Sequence, residues 1–489
     1  MLDRILYEAA RRHGDRPALI DGAGTRTYAE LEAVSAAVGQ ALLDLGVAPG
    51  DRVGLHAFNS WEWVAAYHGI LRAGATVVPI NALLTADEVD FILRDCNAVA
   101  LIGSDDSLAR VADATTEITS LSFSAFADLK PAAPLQPSLE PDAVASIAYT
   151  SGTTGHPKGA VQTHRSVYLN MALTATMHGR TDRDVLVTAL PAAHVYGNVA
   201  INSTLMAGGT VALLERFEPA AALESISRHR ATLFEGVPAM YSRLAADENL
   251  AAADLSTLRA CTVGGQTIAT SVVEEWEART GAPLLELWGM TEVCGLGTTH
   301  PLYAPNVHGS IGVALPGISI RVATFDDDAI EAAPDEPGEL QVSGPIVMHS
   351  YHGNPTATAE AFTADGWLKT GDVATLDRHR YARVVDRRKD VILSGGYNVY
   401  PAELERVVAA CPGVELVAVG SASHSDLGEV PKAYVVPRPG ADVDEATIIS
   451  HCRAHLASYK IPAKVAFVEN LPTTSTGKLL RRSLGELDV

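Results

Sequence analysis

The stretch Ala143–Gly159 reads AVASIAYTSGTTGHPKG. Its first seven residues, Ala143–Tyr149, form a short, nearly all-apolar run, the pattern of a central strand in a mainly parallel sheet. The character then changes within one residue. Thr150, Ser151, Thr153 and Thr154 supply hydroxyls, Gly152, Gly155 and Gly159 free the backbone, and Lys158 adds a mobile positive charge. Glycines let the chain approach an anion closely, and hydroxyl and N–H groups donate to phosphate oxygens. A helix is expected from about Arg165, whose positive end would add to the same cradle. A Gly/Ser/Thr-rich surface turn is the plain alternative. The spacing is not GxxxxGK[ST], because Gly159 follows Lys158; Thr474–Lys478 lacks the first glycine of that motif, and no GxGxxG follows a strand. Ordinary P-loop and dinucleotide folds are therefore poor descriptions of this chain.

Working outward, strand-like runs alternate with helical patterns. Arg52–Ala57 precedes a helix around Glu62–Ala73, and Ala75–Pro79 precedes Thr85–Asp95. This alternation predicts α/β units on mainly parallel sheets. Pro131–Pro141 reads as a surface crossing. Alternating, strand-like segments return at Gly338–Val342, and from Val391 the chain reads as a separate small α/β unit of about 100 residues.

At 489 residues the chain has room for about three domain-sized units. It is 47% hydrophobic and 19% charged, enough to build cores and too apolar for disorder. Lys and Arg total 37 against 58 acids, a formal charge of −21, which argues against sequence-independent binding to nucleic acid or anionic lipid. Phosphate binding must then rely on local loops and a few lysines. Cys96, Cys261, Cys294, Cys411 and Cys452 are scattered with no CxxC pair, as expected of reduced thiols in a cytoplasmic protein. Met1–Ile20 interleaves charges with Leu2, Ile5, Leu6 and Ala9, the pattern of an amphipathic docking helix and not of a signal peptide. Val185–Leu214 carries no Asp, Glu, Lys or Arg, yet Pro191, His194, Asn198, Asn202 and Gly208–Gly209 argue for buried segments and against a membrane span.

Tyr149–Ala160 (YTSGTTGHPKGA) resembles the phosphate loop of the adenylate-forming superfamily: acyl-CoA synthetases, peptide-synthetase adenylation domains and firefly-type luciferases. Further matches follow in order: Leu190–Gly197 (LPAAHVYG), Leu287–Glu292 (LWGMTE), Gly338–Pro345 (GELQVSGP), Gly366–Asp372 (GWLKTGD), Val385–Glu405 and Leu471–Arg481 (LPTTSTGKLLR). The resemblance covers essentially the whole chain. It implies a large N-terminal domain of doubly wound sheets plus a β-rich subdomain, residues 1–388, and a small mobile C-terminal α/β domain, residues 389–489, with a hinge near Lys389.

Members of this family join a carboxylate to ATP, release pyrophosphate, and pass the acyl group to a thiol. The first step crowds negative charge, so positioning and cations do most of the catalysis. The resemblance implies that Thr150 and Ser151–Gly159 grip the β- and γ-phosphates, Thr291 contacts the α-phosphate, and Glu292 ligates Mg²⁺, a hard cation suited to a carboxylate oxygen. Trp288 stands where the family usually has Tyr; its ring can still face adenine, without a phenolic hydroxyl. Gly289 and Met290 follow it in the same motif. Gly264-Gly265-Gln266 resembles the turn on adenine's other side, with Gln266 and Thr267 departing from the small or Pro residues often found there. Asp372 and Arg387 match the ribose contacts. Lys478 matches the lysine bridging substrate carboxylate and α-phosphate. Lys389 falls at the hinge that withdraws Lys478 for the second step, and Gly395-Gly396 resemble the loop lining the pantetheine tunnel.

The acyl pocket implied by the resemblance draws on Ala192–Asn202, Phe234–Met240, Cys261–Gln266 and Trp288–Leu296, with Tyr196, Asn198, Val237, Gly265, Gly289 and Met290 in its lining. His194 stands at its mouth, as a gate or a carboxylate contact; a neutral core histidine is the alternative. Ala192–Asn202 holds no acid for a substrate ammonium, and the four stretches hold no Arg or Lys for a second carboxylate. Unpaired buried charges are costly, so an uncharged tail, fatty or aryl, is expected. The implied substrates and cofactors are a small carboxylic acid, ATP, Mg²⁺ and CoA. A carrier-protein pantetheine is the alternative acceptor, although Gly103–Leu108 is no carrier domain. A homodimer stands beside the monomer. A non-catalytic nucleotide or acyl binder is the rival class; the joint presence of Lys158, Glu292, Asp372, Arg387 and Lys478 argues against it. A luciferase-like role is disfavoured because Glu486–Val489 lacks the peroxisomal tripeptide of those relatives.

Overall fold

Strand–helix alternation closes the chain into parallel sheets, and Thr side chains mark where several helices start. Thr27, Thr85 and Thr163 each form a capping box with the residue three positions on, at the heads of Tyr28–Asp44, Ala86–Asp95 and His164–Met177. Such caps contribute about 1 kcal/mol each. A computed structural model describes all residues except 113, 114, 116, 117, 134, 136–138, 151–156, 396, 425, 426, 473–478, 480, 488 and 489, and all described side chains except that of 482.

Two compact units emerge: residues 1–320 with 342–368, and residues 321–341 with 369–489. The first holds two large sheets. In the nine-stranded sheet, Leu284–Met290, Ala260–Val263, Leu233–Gly236, Val185–Thr188, Thr210–Leu213 and Pro17–Asp21 run parallel in that spatial order. Antiparallel strands flank them, Gly24–Thr27 at one edge and Gly295–Thr299 followed by Val313–Ala314 at the other. In the seven-stranded sheet, Val144–Thr150, Thr76–Ile80, Arg52–His56, Ala98–Gly103 and Thr119–Ser122 are parallel. Crossover helices, among them Trp61–Arg72 and Pro219–His229, cover the sheet faces, as parallel strands require. On one face of the nine-stranded sheet, Phe234, Cys261, Val263 and Leu284 pack with Leu223, Ile226, Tyr241 and Trp276.

The second unit contains most of a four-stranded sheet (Ser319–Ala323, Gly338–Ser343, Leu368–Leu376, Ala382–Arg387) and a five-stranded sheet. In the latter, Gly428–Pro437 pairs with Val414–His424, Ile392–Ser394 and Lys464–Phe467. Helices Pro401–Ala409 and Glu445–His455 close its core through Leu404, Val408, Ile448 and Cys452. The compact units divide earlier than Lys389, because the four-stranded sheet groups with the C-terminal sheet.

The N-terminal helix Ile5–His13 buries Ile5, Leu6 and Ala9, and the uncharged stretch folds as Val185–Thr188, helix Val195–Ala207 and Thr210–Leu213. Among the described residues no helix is long and apolar enough to cross a membrane. All five cysteines are free and buried. One expectation is overturned. The helix beginning at His164 does not follow the Thr150–Lys158 loop directly, because Lys158–Thr163 is a strand that turns back antiparallel to Val144–Thr150. Six extended residues, about 20 Å, separate Lys158 from the helix start, too far for the helix dipole to act on an anion held at Lys158.

Candidate active site

In the first unit the expected site residues gather at the carboxyl ends of the parallel strands, where open α/β sheets bind ligands. His194 follows Val185–Thr188, Val237 follows Leu233–Gly236, Gly264–Gln266 follow Ala260–Val263, and Trp288–Met290 end the strand Leu284–Met290. Thr291 and Glu292 lie in the 3₁₀ turn Thr291–Val293 immediately beyond.

That turn is fixed from several sides. Met348 N donates to Glu292 O at 2.7 Å, and Gln162 Nε2 donates to Thr291 O at 2.8 Å. Asn170, fully buried on helix His164–Met177, donates to Val293 O and Leu296 O at 2.8 Å each and accepts from Leu296 N at 3.1 Å. Two glycines permit the tight return. A Cβ on Gly289 would stand 1.9 Å from Gly295 O; Gly295 has φ +144°, and its Cβ would press 2.6 Å against Asn170 Oδ1 and Val199 Cγ2.

Glu292 is 6% exposed. Its Oε1 accepts the Tyr351 hydroxyl at 2.7 Å, and no other described residue bonds its carboxylate. Burial first, and then the neighbouring Glu292 carboxylate, raise the Tyr351 phenol above its ordinary value, so it remains a protonated donor. Lys158 Nζ lies 5.3 Å from the centre of the Tyr351 ring. Tyr351 thus joins the loop's lysine to the acid, and it reaches them because Ser350–Tyr351 pairs with the strand begun by Lys158. Sequence patterning offered no sign of it. Thr150 Oγ1 meets Lys158 O at 3.5 Å across the hairpin; Ser151, Gly152, Thr153, Thr154 and Gly155 lie outside the described residues.

His194 is exposed at the N-cap of helix Val195–Ala207, so the reading of a buried core histidine is set aside. Its loop is held by Asn59, also missed in the sequence: Nδ2 donates to Leu190 O and Leu214 O, both at 3.0 Å, and Oδ1 accepts from Ala192 N at 2.7 Å. Deeper in, Tyr196 Oη meets Thr262 Oγ1 at 2.7 Å. Burial and then Glu235 keep this phenol protonated. Glu235, on the neighbouring strand, is 1% exposed and pairs with the buried Arg180, whose Nη1 also donates to Ala200 O at 2.8 Å. Arg180, from outside the four stretches, neutralises Glu235 within one of them. Asn198 is 9% exposed. Trp288 is 8% exposed and lies against Gly297, where an added Cβ would stand 2.4 Å from the ring. Gly265 (φ +88°) faces Val237, and Gln266 is exposed.

In the second unit, Asp372 and Arg387 sit directly opposite each other on adjacent antiparallel strands, Arg387 Nε 2.6 Å from Asp372 Oδ1. Asp372 is 3% exposed, and Thr370 Oγ1 accepts from its N–H at 3.1 Å. Lys389 is exposed in the turn Arg388–Asp390, and Gly395 has φ +56°. Gly396 and Lys478 lie outside the described residues.

Known proteins resemble this chain along most of its length. The family model described as AMP-binding enzyme matches residues 6–352, and the AMP-binding enzyme C-terminal domain matches 403–478. The chain belongs to the AMP-forming acyl-CoA synthetases. A feruloyl-CoA synthase from Amycolatopsis sp is 37% identical, with 96% of each chain covered. A long-chain-fatty-acid–CoA ligase from Yersinia pestis is 34% identical, over 100% of this chain and 94% of the relative. Among solved structures, o-succinylbenzoate CoA synthetase from Bacillus subtilis with its acyl-adenylate superposes with TM-score 0.89 at 32% identity, covering 98% and 97% of the two chains. The same enzyme has been solved with ATP and magnesium ion. The chain is accordingly an ATP-dependent enzyme that forms acyl-CoA through an acyl-adenylate, with a small-molecule acid and CoA as substrates. Glu292, buried and with the Tyr351 phenol as its carboxylate's partner among the described residues, has the hard oxygen donors that Mg²⁺ accompanying ATP would need.

Proposed function

We propose that this synthetase activates an aryl or short acid with an uncharged tail and transfers it to CoA. The observation that carries the choice is the Tyr196–Thr262 hydrogen bond backed by the buried Arg180–Glu235 pair. Thr262 and Glu235 lie on the sheet face opposite the apolar core, the face that Tyr196 meets from helix Val195–Ala207. A tail entering beside Gly265 and Val237 would therefore run into a phenol, a hydroxyl and then an ion pair. A flat ring fits above that floor. A long alkyl chain would have to displace polar groups that are satisfied only by one another, and buried unsatisfied polar groups are costly. The 37% identity to a feruloyl-CoA synthase supports the aryl reading over the long-chain one.

In this reading the Ser151–Gly159 loop and Lys158 hold the phosphates, Glu292 holds the metal, and Thr291 contacts the α-phosphate. Trp288 and Gly264–Gln266 bound the adenine, Asp372 and Arg387 hold the ribose, and His194 guards the acid's entrance. Lys478 delivers positive charge during adenylation, and the region after Lys389 moves to bring Gly395-Gly396 to the pantetheine. Pyrophosphate exchange with a panel of benzoic, cinnamic, short and long-chain acids, followed by mass analysis of CoA products, tests it. Aryl and short acids should exchange best, and Tyr196→Ala should widen the range toward longer tails. Preference for long saturated acids by the unmodified enzyme would overturn the choice; carrier-protein loading without any CoA product would overturn the acceptor.

A further inference from the structure

The residues just after Lys478 are tied to the second unit in two ways. Leu484, 2% exposed, packs with Ala418 and Tyr434, with Leu479 and Leu487 against the same cluster. Apolar contacts of this kind hold a segment down without fixing its register along a strand. The second tie is directional. Arg481 presents Nη1 and Nη2 to the two oxygens of Glu405, at 2.5 and 2.8 Å, and Nη1 also donates to Val419 O at 2.6 Å. Its Nε lies 3.5 Å from Asp390 Oδ2. Glu405 in turn accepts from Val419 N at 2.7 Å, so helix, strand and tail share one carboxylate. The guanidinium is about one-fifth exposed, as are both acids. A planar fork on a carboxylate fixes orientation as well as distance, which an ammonium cannot reproduce.

We propose that Arg481 is a positioning residue for Lys478: by locking the tail to Glu405 and Val419, and to Asp390 beside Lys389, it sets where the adenylation lysine emerges. Arg481 lies three positions after Lys478, a span of at most about 10 Å, so an error in the anchor is passed on to the lysine. The inference rests on Lys478 acting in adenylation.

The two half-reactions separate these claims. Arg481→Ala should lower pyrophosphate exchange about 10–100-fold while thioester formation from supplied acyl-adenylate stays within about twofold, as expected for a misplaced electrostatic contact. Arg481→Lys should restore exchange only partly. Glu405→Gln, which keeps the shape and removes the charge, should show the same split at smaller size with the fold retained by circular dichroism. In a Lys478→Ala background, Arg481→Ala should add nothing, because a residue acting only through another is non-additive with it. Equal loss in both half-reactions, or a full additional loss in that background, would overturn the proposal. Undiminished exchange by Lys478→Ala alone would instead remove the reading beneath it.

Discussion

On the proposed reading, Glu292 and Lys478 serve one electrostatic task, and the described residues around each are built in opposite ways. Around Glu292 the backbone is over-determined: Gln162, Asn170 and Met348 hold the turn, and two glycines allow it to close. Among its described residues the tail rests on the Arg481 guanidinium cluster and a small apolar patch that includes Leu479, Leu484 and Leu487. On the proposed reading Glu292 is a metal ligand that must stand ready before the nucleotide arrives, which a firmly held turn provides. On the same reading Lys478 is needed in only one of two half-reactions and must be deliverable, and the described anchors that follow it lie within the second unit. Preorganisation and delivery demand different local stabilities.

Removing the delivered charge should have the largest effect. Lys478→Ala is expected to lower adenylation about 10²–10³-fold, the usual consequence of deleting one preorganised electrostatic contact. Thioester formation from supplied acyl-adenylate should be largely unchanged. Equal loss in both steps would erase the contrast between the two regions, since the lysine would then be serving as a fixed part.

Breaking the rigid corner should cost stability before chemistry. Asn170→Ala would leave Val293 O, Leu296 O and Leu296 N unsatisfied in the interior. Each such group costs about 1–3 kcal/mol, so a loss of about 3 kcal/mol overall, read from urea unfolding, is expected once partial relaxation is allowed. Both half-reactions should then fall together on warming. A fully stable variant would mean that the corner is held by its backbone alone.

The unequal legibility of these regions has a physical origin. Alternating strands and helices could be read because the central strands, such as Leu233–Gly236 and Ala260–Val263, bury both faces while helices such as Ala86–Asp95 bury one, a pattern local to about 5–15 residues. Asp372 and Arg387 were singled out by motif, although their direct cross-strand pairing was not legible; the glycine-rich stretch was singled out by composition, and its residues 151–156 lie outside the described ones. Lys158–Thr163 was missed as a strand because it has only two strong apolar side chains and gains its partners from both directions. Asn170 looked like an unremarkable polar residue in a helix. Arg180 gave no signal because its meaning lies in Glu235, 55 residues away. Tyr351 belongs to a two-residue strand and meets Glu292 across 59 positions. Residues that support a site through distant contacts leave no local period to detect.

Tyr351 also provides the finest test of the rigid corner. Its hydroxyl is one of the few groups that orients Glu292 without being a ligand or part of the turn. Tyr351→Phe keeps the ring beside Lys158 and removes only the donor to Oε1. The stability change should be small, because Tyr351 is only partly buried and the ring remains. The Mg²⁺ concentration for half-maximal adenylation should rise about tenfold, the lower end of what loss of a supporting hydrogen bond to a metal ligand costs. Saturating Mg²⁺ should restore most of the rate. Because burial and Glu292 both raise the phenol's pKa, its proton is not lost near neutrality, and the variant should keep the parent's pH profile there. If excess Mg²⁺ failed to restore the rate, Tyr351 would be acting through Lys158 and the phosphates, and the rigid corner would extend to the glycine-rich loop.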